Sequence, residues 1–137
     1  MSIQALTAAF LATTYRVATP ERCFDLRIGQ NNSAFDDFLR AHAVSFWGIL
    51  TACNPGAVRF TAEENEHRQD QLLARLLELD CKFLTACNIP DDSAWPVEPS
   101  CLILQLSEEE LCALAGGFSQ LAVVCGNTGV ASRLLWV

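Results

Sequence analysis

The sequence is poor in cations. Lysine and arginine together number nine against sixteen aspartates and glutamates, a formal net charge of -7, and Lys82 is the only lysine. Nucleic-acid affinity comes mainly from cation–phosphate contacts, so no nucleic-acid partner is expected. An anionic lipid surface would repel the same charge. No run of about eighteen apolar residues is present to form a membrane-spanning helix, so no membrane association is expected.

Metal-ligand spacing is absent as well. The closest of the seven cysteines, Cys81 and Cys87, are six positions apart, and only His42 and His67 could add imidazole. Structural zinc sites use short paired spacings, so no metal is expected. There is no Gly-rich phosphate loop, since Gly116-Gly117 closes a helical pattern where such a loop would open one. No Ser-His-Asp order and no catalytic pair of carboxylates stands out, and no cofactor is expected. A secretion signal is also missing: no Lys or Arg precedes the mildly apolar residues 3–14. The cysteine count is odd, and most cysteines sit in apolar runs such as Cys101-Leu102-Ile103-Leu104 and Ala122-Val123-Val124-Cys125. These features predict reduced thiols in a cytoplasmic protein.

What is present is a foldable chain. At 137 residues, 51% hydrophobic and 18% charged, it is too apolar for disorder and of a length for one domain. Ile3, Leu6 and Phe10 share a helix face, which predicts a helix over 2–13. A short strand over 15–18 follows, and then the alternation Phe24, Leu26, Ile28 of a half-buried strand ended by Gly29. Asn31 or Asn32 caps a helix carrying Phe35, Phe38, Leu39 and Ala43. The apolar run 46–50 before Asn54-Pro55-Gly56 reads as an interior strand and turn. Thr61 with Glu64 is a capping box for a helix to about residue 79, with Leu72, Leu73, Leu76 and Leu77 turned inward. Residues 81–86 are apolar, and 88–100, with three prolines, predict the longest loop. A buried strand spans 101–106, and Ser107 with Glu110 caps a helix ending at Gly116-Gly117. Strands over 121–125 and 131–137 flank a Gly-Asn-Thr-Gly turn. The expected order is αββαβαββαββ: a single α+β domain with a mixed or antiparallel sheet and helices packed on it.

Leu50-Thr51-Ala52-Cys53-Asn54 recurs as Leu84-Thr85-Ala86-Cys87-Asn88. Two strand ends presenting matched Thr and Asn groups to one ligand, or chance among common strand-end residues, would each account for it. The first copy with Pro55-Gly56, followed by Glu64-Asn65 and Arg68, resembles a bacterial family known as domain of unknown function 3293. Further matching points, in the same order, are Thr14-Tyr15, Arg27-Ile28-Gly29, Trp95 before Glu98-Pro99-Ser100, and Phe118-x-Gln120 before Ala122-Val123-Val124. The resemblance runs over nearly the whole chain and implies a complete copy of the domain. It brings no activity with it. Cys53 stands where the family commonly has a larger residue such as Trp, which counts against a catalytic role for it.

The helix after Thr61 carries the most information about a site. Stepping back by fours from Leu76 gives Leu72, Arg68 and Glu64, with Asn65 and Gln69 alongside, so the core-facing stripe turns polar in its first two turns. Either that end protrudes and is solvated, or it forms a polar pocket with the loop 51–55. A pocket there, at a helix N-terminus with Arg68 as a bidentate donor, suits an anionic or amide-bearing small ligand. Glu98, opening a buried strand, is either an ion-pair partner or a desolvated base. The candidate ligand-binding residues are thus Thr51, Asn54, Asn65, Arg68 and Glu98. His67 faces away from this pocket, and Arg16 and Arg27 are expected to be solvated or paired with acids. The alternative is a protein-interaction or regulatory module with Trp47 or Trp136 exposed as an anchor; the sequence leaves the oligomeric state open, a homodimer being one form it allows.

Overall fold

The computed structural model describes residues 2–137. In chain order the elements are α1 (Ile3–Leu11), β1 (Thr13–Ala18), β2 (Cys23–Leu26), α2 (Ser33–Ala41), β3 (Phe46–Leu50), α3 (Ala62–Glu78), β4 (Phe83–Pro90), β5 (Glu98–Ile103), α4 (Glu108–Gly117), β6 (Ala122–Asn127) and β7 (Arg133–Trp136). A short 3-10 turn, Pro55–Ala57, lies between β3 and α3. The fold is α+β, and the element order is the one that the hydrophobic periodicity predicts. The seven strands form one sheet, β2-β1-β4-β5-β3-β6-β7, with every neighbouring pair antiparallel. The sheet curls. The segments beside its two edge strands are joined where Gly29 N–H donates to the Ser132 carbonyl at 2.8 Å and Ser132 Oγ to the Arg27 carbonyl at 3.0 Å.

Strand alternation divides the interior into two cores. Tyr15, Val17, Phe24, Ile49, Leu102 and Val124 point to one face, where Phe35 and Leu39 of α2 cover them. Leu50, Cys101, Ile103, Val123 and Cys125 point to the other, against Leu72 and Leu76 of α3 and Leu111 of α4. Gly48 fits this scheme sterically, because a methyl group there would collide with the Leu111 side chain.

Several expectations change. Residues 88–100 are strand at both ends: β4 runs to Pro90 and β5 starts at Glu98, so the loop shrinks to 91–97. Cross-strand pairing of Asn88 with Glu98 extends the β4–β5 ladder past Pro99, and Pro90 pairs with Thr13 of β1. Asn32 is the cap of α2. Leu77 is 70% exposed, since it lies off the Leu72–Leu76 stripe. Trp47 is 3% exposed, packed edge-on against Phe35, and cannot serve as a surface anchor. Arg16 pairs with Asp25, and Arg27 forms a bidentate pair with Asp91. All seven cysteines are free, and Cys53, Cys101 and Cys125 are buried. No helix among the described residues is long and apolar enough to cross a membrane.

Both capping boxes form: the Thr61 and Ser107 side chains accept from the Glu64 and Glu110 amides, whose carboxylates accept from the cap backbones. Thr61→Ala should therefore lower stability by about 1 kcal/mol. Urea unfolding with an unchanged midpoint would show that α3 does not depend on this cap.

Candidate functional site

Beyond Leu50 the chain leaves the sheet, and its backbone polar groups lose their ladder partners. Buried peptide groups need replacements, and here side chains supply almost all of them. Ala52 N–H donates to Gln69 Oε1 (3.1 Å), and its carbonyl accepts from Arg68 Nε (2.8 Å). Cys53 N–H donates to Thr51 Oγ (3.1 Å), and its carbonyl accepts from Gln120 Nε2 (3.0 Å). Asn54 N–H donates to Asn65 Oδ1 (2.8 Å). The one backbone partner is Ala57 N–H, which donates to the Asn54 carbonyl (3.1 Å). Asn54 itself is left-handed, with φ 48° and ψ 60°, a conformation Asn tolerates better than most residues. Its Oδ1 accepts from Phe60 N–H (2.8 Å) and Asn65 Nδ2 (2.9 Å), which leaves its Nδ2 to donate to Glu98 Oε2 at 3.1 Å.

The polar stripe of α3 thus grips the 52–54 backbone. Asn54, Asn65 and Glu98 are joined in one hydrogen-bonded chain, with Thr51 fixed to the Pro99 carbonyl beside them (2.8 Å). Arg68 is placed differently. Its guanidinium reaches the Ala52 and Phe118 carbonyls, the latter at 2.6 Å, and it lines neither of the two cavities at this cluster. Glu98 has no arginine or lysine within ion-pair distance, because Asn54 takes the place of the expected cation. His67 is exposed, and His42 caps the C-terminus of α2.

Two cavities meet at this cluster. The larger, of about 410 Å³, lies between α1 and the concave face of the sheet, at the end where β1 and β6 begin and β3 and β4 finish. The second, of about 360 Å³, lies at the start of α3 and includes Phe60, Thr61 and Asn65. They share Cys53, Asn54, Arg59, Pro96 and Glu98.

The larger cavity is mainly apolar, walled by Leu6, Phe10, Ile49, Trp95 and Val124, and it carries a polar row across its floor. Tyr15 of β1 stands opposite Asn88 of β4, and Asn88 opposite Glu98 of β5. Facing residues on antiparallel neighbours lie about 5 Å apart, so these three side chains form a lateral line. The Tyr15 hydroxyl donates to the Phe10 carbonyl at 3.4 Å, and burial holds it well above the ordinary tyrosine range. Asn88 Oδ1 accepts from Ser100 Oγ (2.7 Å). Among the described residues, Asn88 Nδ2 and Glu98 Oε1 take part in no hydrogen bond. Neither is an enclosed orphan, since no fully buried side-chain polar atom lacks a partner.

Burial pushes the Glu98 carboxyl above its ordinary value, and the Asn54 hydrogen bond only partly opposes this. Burial also raises the Cys53 thiol, which therefore stays protonated at neutral pH and is no activated nucleophile. No group of three His, Cys, Asp or Glu side chains converges as a metal site among the described residues.

Residues 50–123, more than half the chain, match the family described as protein of unknown function (DUF3293). The chain belongs to that family. No curated protein and no solved structure matches it. The matched segment contains the 51–54 loop, all of α3, Asn88 and Glu98, whereas Phe10 and Tyr15 lie outside it. The sequence reading reached Asn54, Asn65 and Glu98 but missed Tyr15, Asn88 and the cavity under α1. The repeat ending in Asn54 and Asn88 was the one signal available, since both asparagines line this cavity. Thr85, the counterpart of Thr51, is exposed.

Arg68→Ala should cost about 2–3 kcal/mol, because it orphans the carbonyl of fully buried Ala52 and removes a charged hydrogen bond. A denaturation midpoint within error of the parent would remove Arg68 from the clamp. Glu98→Gln should behave in the opposite way. With its folded value above the ordinary 4.5, Glu98 holds its proton more tightly in the folded chain, so stability falls as pH rises through that window. The Gln variant should be the more stable at pH 7 and lose that advantage at about pH 4 and below. Equal stability at both pH values would contradict the burial of this carboxyl.

Proposed function

We propose that this protein, in a reduced cytoplasmic setting, binds a small, largely apolar molecule bearing an amide, held in the cavity under α1. The observation that carries this reading is the unused donor–acceptor pair on the cavity floor. Asn88 Nδ2 can donate to a ligand carbonyl while Glu98 Oε1 accepts from a ligand N–H. Facing strands set the Cβ atoms of Asn88 and Glu98 about 5 Å apart, so both side chains can reach one amide. The apolar walls suit the rest of such a ligand, as small-molecule sites combine apolar linings with a few placed polar groups.

The raised Glu98 carboxyl supports the same reading, since binding sites often carry charge that is unfavourable for the empty fold. A ligand anion placed directly against Glu98 would meet like charge, so the amide is the group assigned to this end. Thr51 and Asn54 belong to the wall, Asn65 sets Asn54, and Arg68 acts through the loop backbone. Free cysteines support the reducing compartment. The interaction-module reading gains nothing from Trp47, which is buried, and keeps Trp136, which is 40% exposed, as its anchor.

Benzamide and acetophenone separate the cases, since they share shape and carbonyl but only benzamide has N–H groups. In a ¹H–¹⁵N NMR titration benzamide should shift the signals of Ile49, Asn88 and Glu98. It should bind about tenfold more tightly than acetophenone, and Glu98→Ala should erase that difference, as one charged hydrogen bond predicts. Equal binding of the two probes, or shifts confined to another surface, would refute the assignment.

A further inference from the structure

Among the described residues, Arg59 is the only cationic side chain lining either cavity, and it lines both. Its situation differs from that of the other arginines. Arg16, Arg27, Arg40, Arg75 and Arg133 pair with carboxylates. Arg68 holds two backbone carbonyls, and Arg22 lies over the Phe24 ring. Among the described residues Arg59 makes no ion pair and no side-chain hydrogen bond, although Asp92 and Glu98 line the same cavity. In a chain with sixteen acidic residues, its guanidinium stays free and exposed beside the two cavities.

Its position is set from both sides. Asn54 Oδ1 fixes the following Phe60 amide, and the Pro55–Ala57 turn leads into it. The same Asn54 holds Glu98 through its Nδ2, so the backbone next to Arg59 and the cavity carboxylate are anchored through one side chain, and the two charges do not pair with each other. A binding wall with a fixed acceptor and a separate free guanidinium recognises a ligand with two ends, one donating N–H and one anionic. Guanidinium groups favour carboxylates through paired N–H donors.

We infer that the ligand carries a carboxylate as well as its amide and that Arg59 binds the carboxylate, which makes the ligand class small N-acylated amino acids with apolar side chains. This rests on the cavity reading above. Glu98 and Asn88 read the amide, Phe10, Ile49 and Trp95 surround the apolar side chain, and Arg59 takes the acid at the rim. The chain's overall negative charge repels anions in general, so affinity for this acid has to come from the local guanidinium.

Isothermal titration with the acid and carboxamide forms of N-acetylalanine, N-acetylleucine and N-acetylphenylalanine tests this. The native protein should bind the acid of at least one pair about tenfold more tightly than its carboxamide, as expected for one charge-assisted contact. Arg59→Ala should reduce the two forms to equal affinity and unfold like the parent because Arg59 is exposed. Added salt should weaken the acid selectively. Equal binding of acid and carboxamide by the native protein, or a preference that survives Arg59→Ala, would overturn the role of Arg59 while leaving the amide cavity standing. Failure of every acid and carboxamide to bind would overturn both.

Discussion

The structure around the site depends on one constraint: the peptide groups of Ala52, Cys53 and Asn54 are buried or half-buried after the strand that would have bonded them has ended. An unpaired buried peptide group costs about 1–3 kcal/mol, and this segment has six of them to satisfy. The first two turns of α3 satisfy three through Asn65, Arg68 and Gln69. Those residues cannot belong to a solvated helix end, nor can α3 slide or rotate without releasing them. The packing of Leu72 and Leu76 in the second core and the polar grip of the first turns therefore fix the same helix at two points.

From that clamp the site follows. Asn54 is held in a left-handed conformation by its backbone bonds, and its side chain has one amide hydrogen-bond donor group left, which goes to Glu98. A neutral amide is a weaker partner for a buried carboxylate than an arginine would be. Glu98 is thus oriented without being neutralised, and its proton affinity rises through burial. A cation paired with Glu98 would instead have neutralised the carboxylate and lowered its proton affinity. The arrangement keeps a fixed acceptor available at the cavity floor, and the stability of the clamp offsets the charge it leaves unpaired.

Much of this was legible in the sequence because it is local or periodic. The order of strands and helices follows from alternation and 3.6-residue spacing, and the capping boxes at Thr61 and Ser107 follow from two residues three apart. Stepping along α3 by fours places Arg68 on the inward stripe beside Asn65 and Gln69, next to a loop whose Asn-Pro-Gly marks it as a turn. The Tyr15–Asn88–Glu98 row was not legible, since it depends on the register of three strands drawn from distant parts of the chain. The prolines around β4 and β5 also disguised strand as loop, because antiparallel pairing tolerates a proline where no ladder N–H is needed. Whether Arg68 meets a ligand or a carbonyl is likewise a matter of a few ångströms, which residue type and spacing do not encode.

The last element of the site, α1, differs in how it is held. No residue of this helix is fully buried, and Ile3 at its start is 70% exposed. Its attachments gather at its C-terminal end: Thr13 Oγ donates to the Ala9 carbonyl, the Tyr15 hydroxyl to the Phe10 carbonyl, and Arg27 Nη2 to the Leu11 carbonyl. The Ser2 cap is internal to the helix and ties it to nothing else. Local stability follows buried contacts, and α1 is the wall held by few of them, fixed at its Leu11 end by Arg27, which pairs with Asp91. The opposite wall, gripped by α3, cannot move without breaking the clamp. The two sides of the cavity thus divide the work: the 51–54 loop and β5 hold the polar groups in place, and α1 covers the apolar remainder.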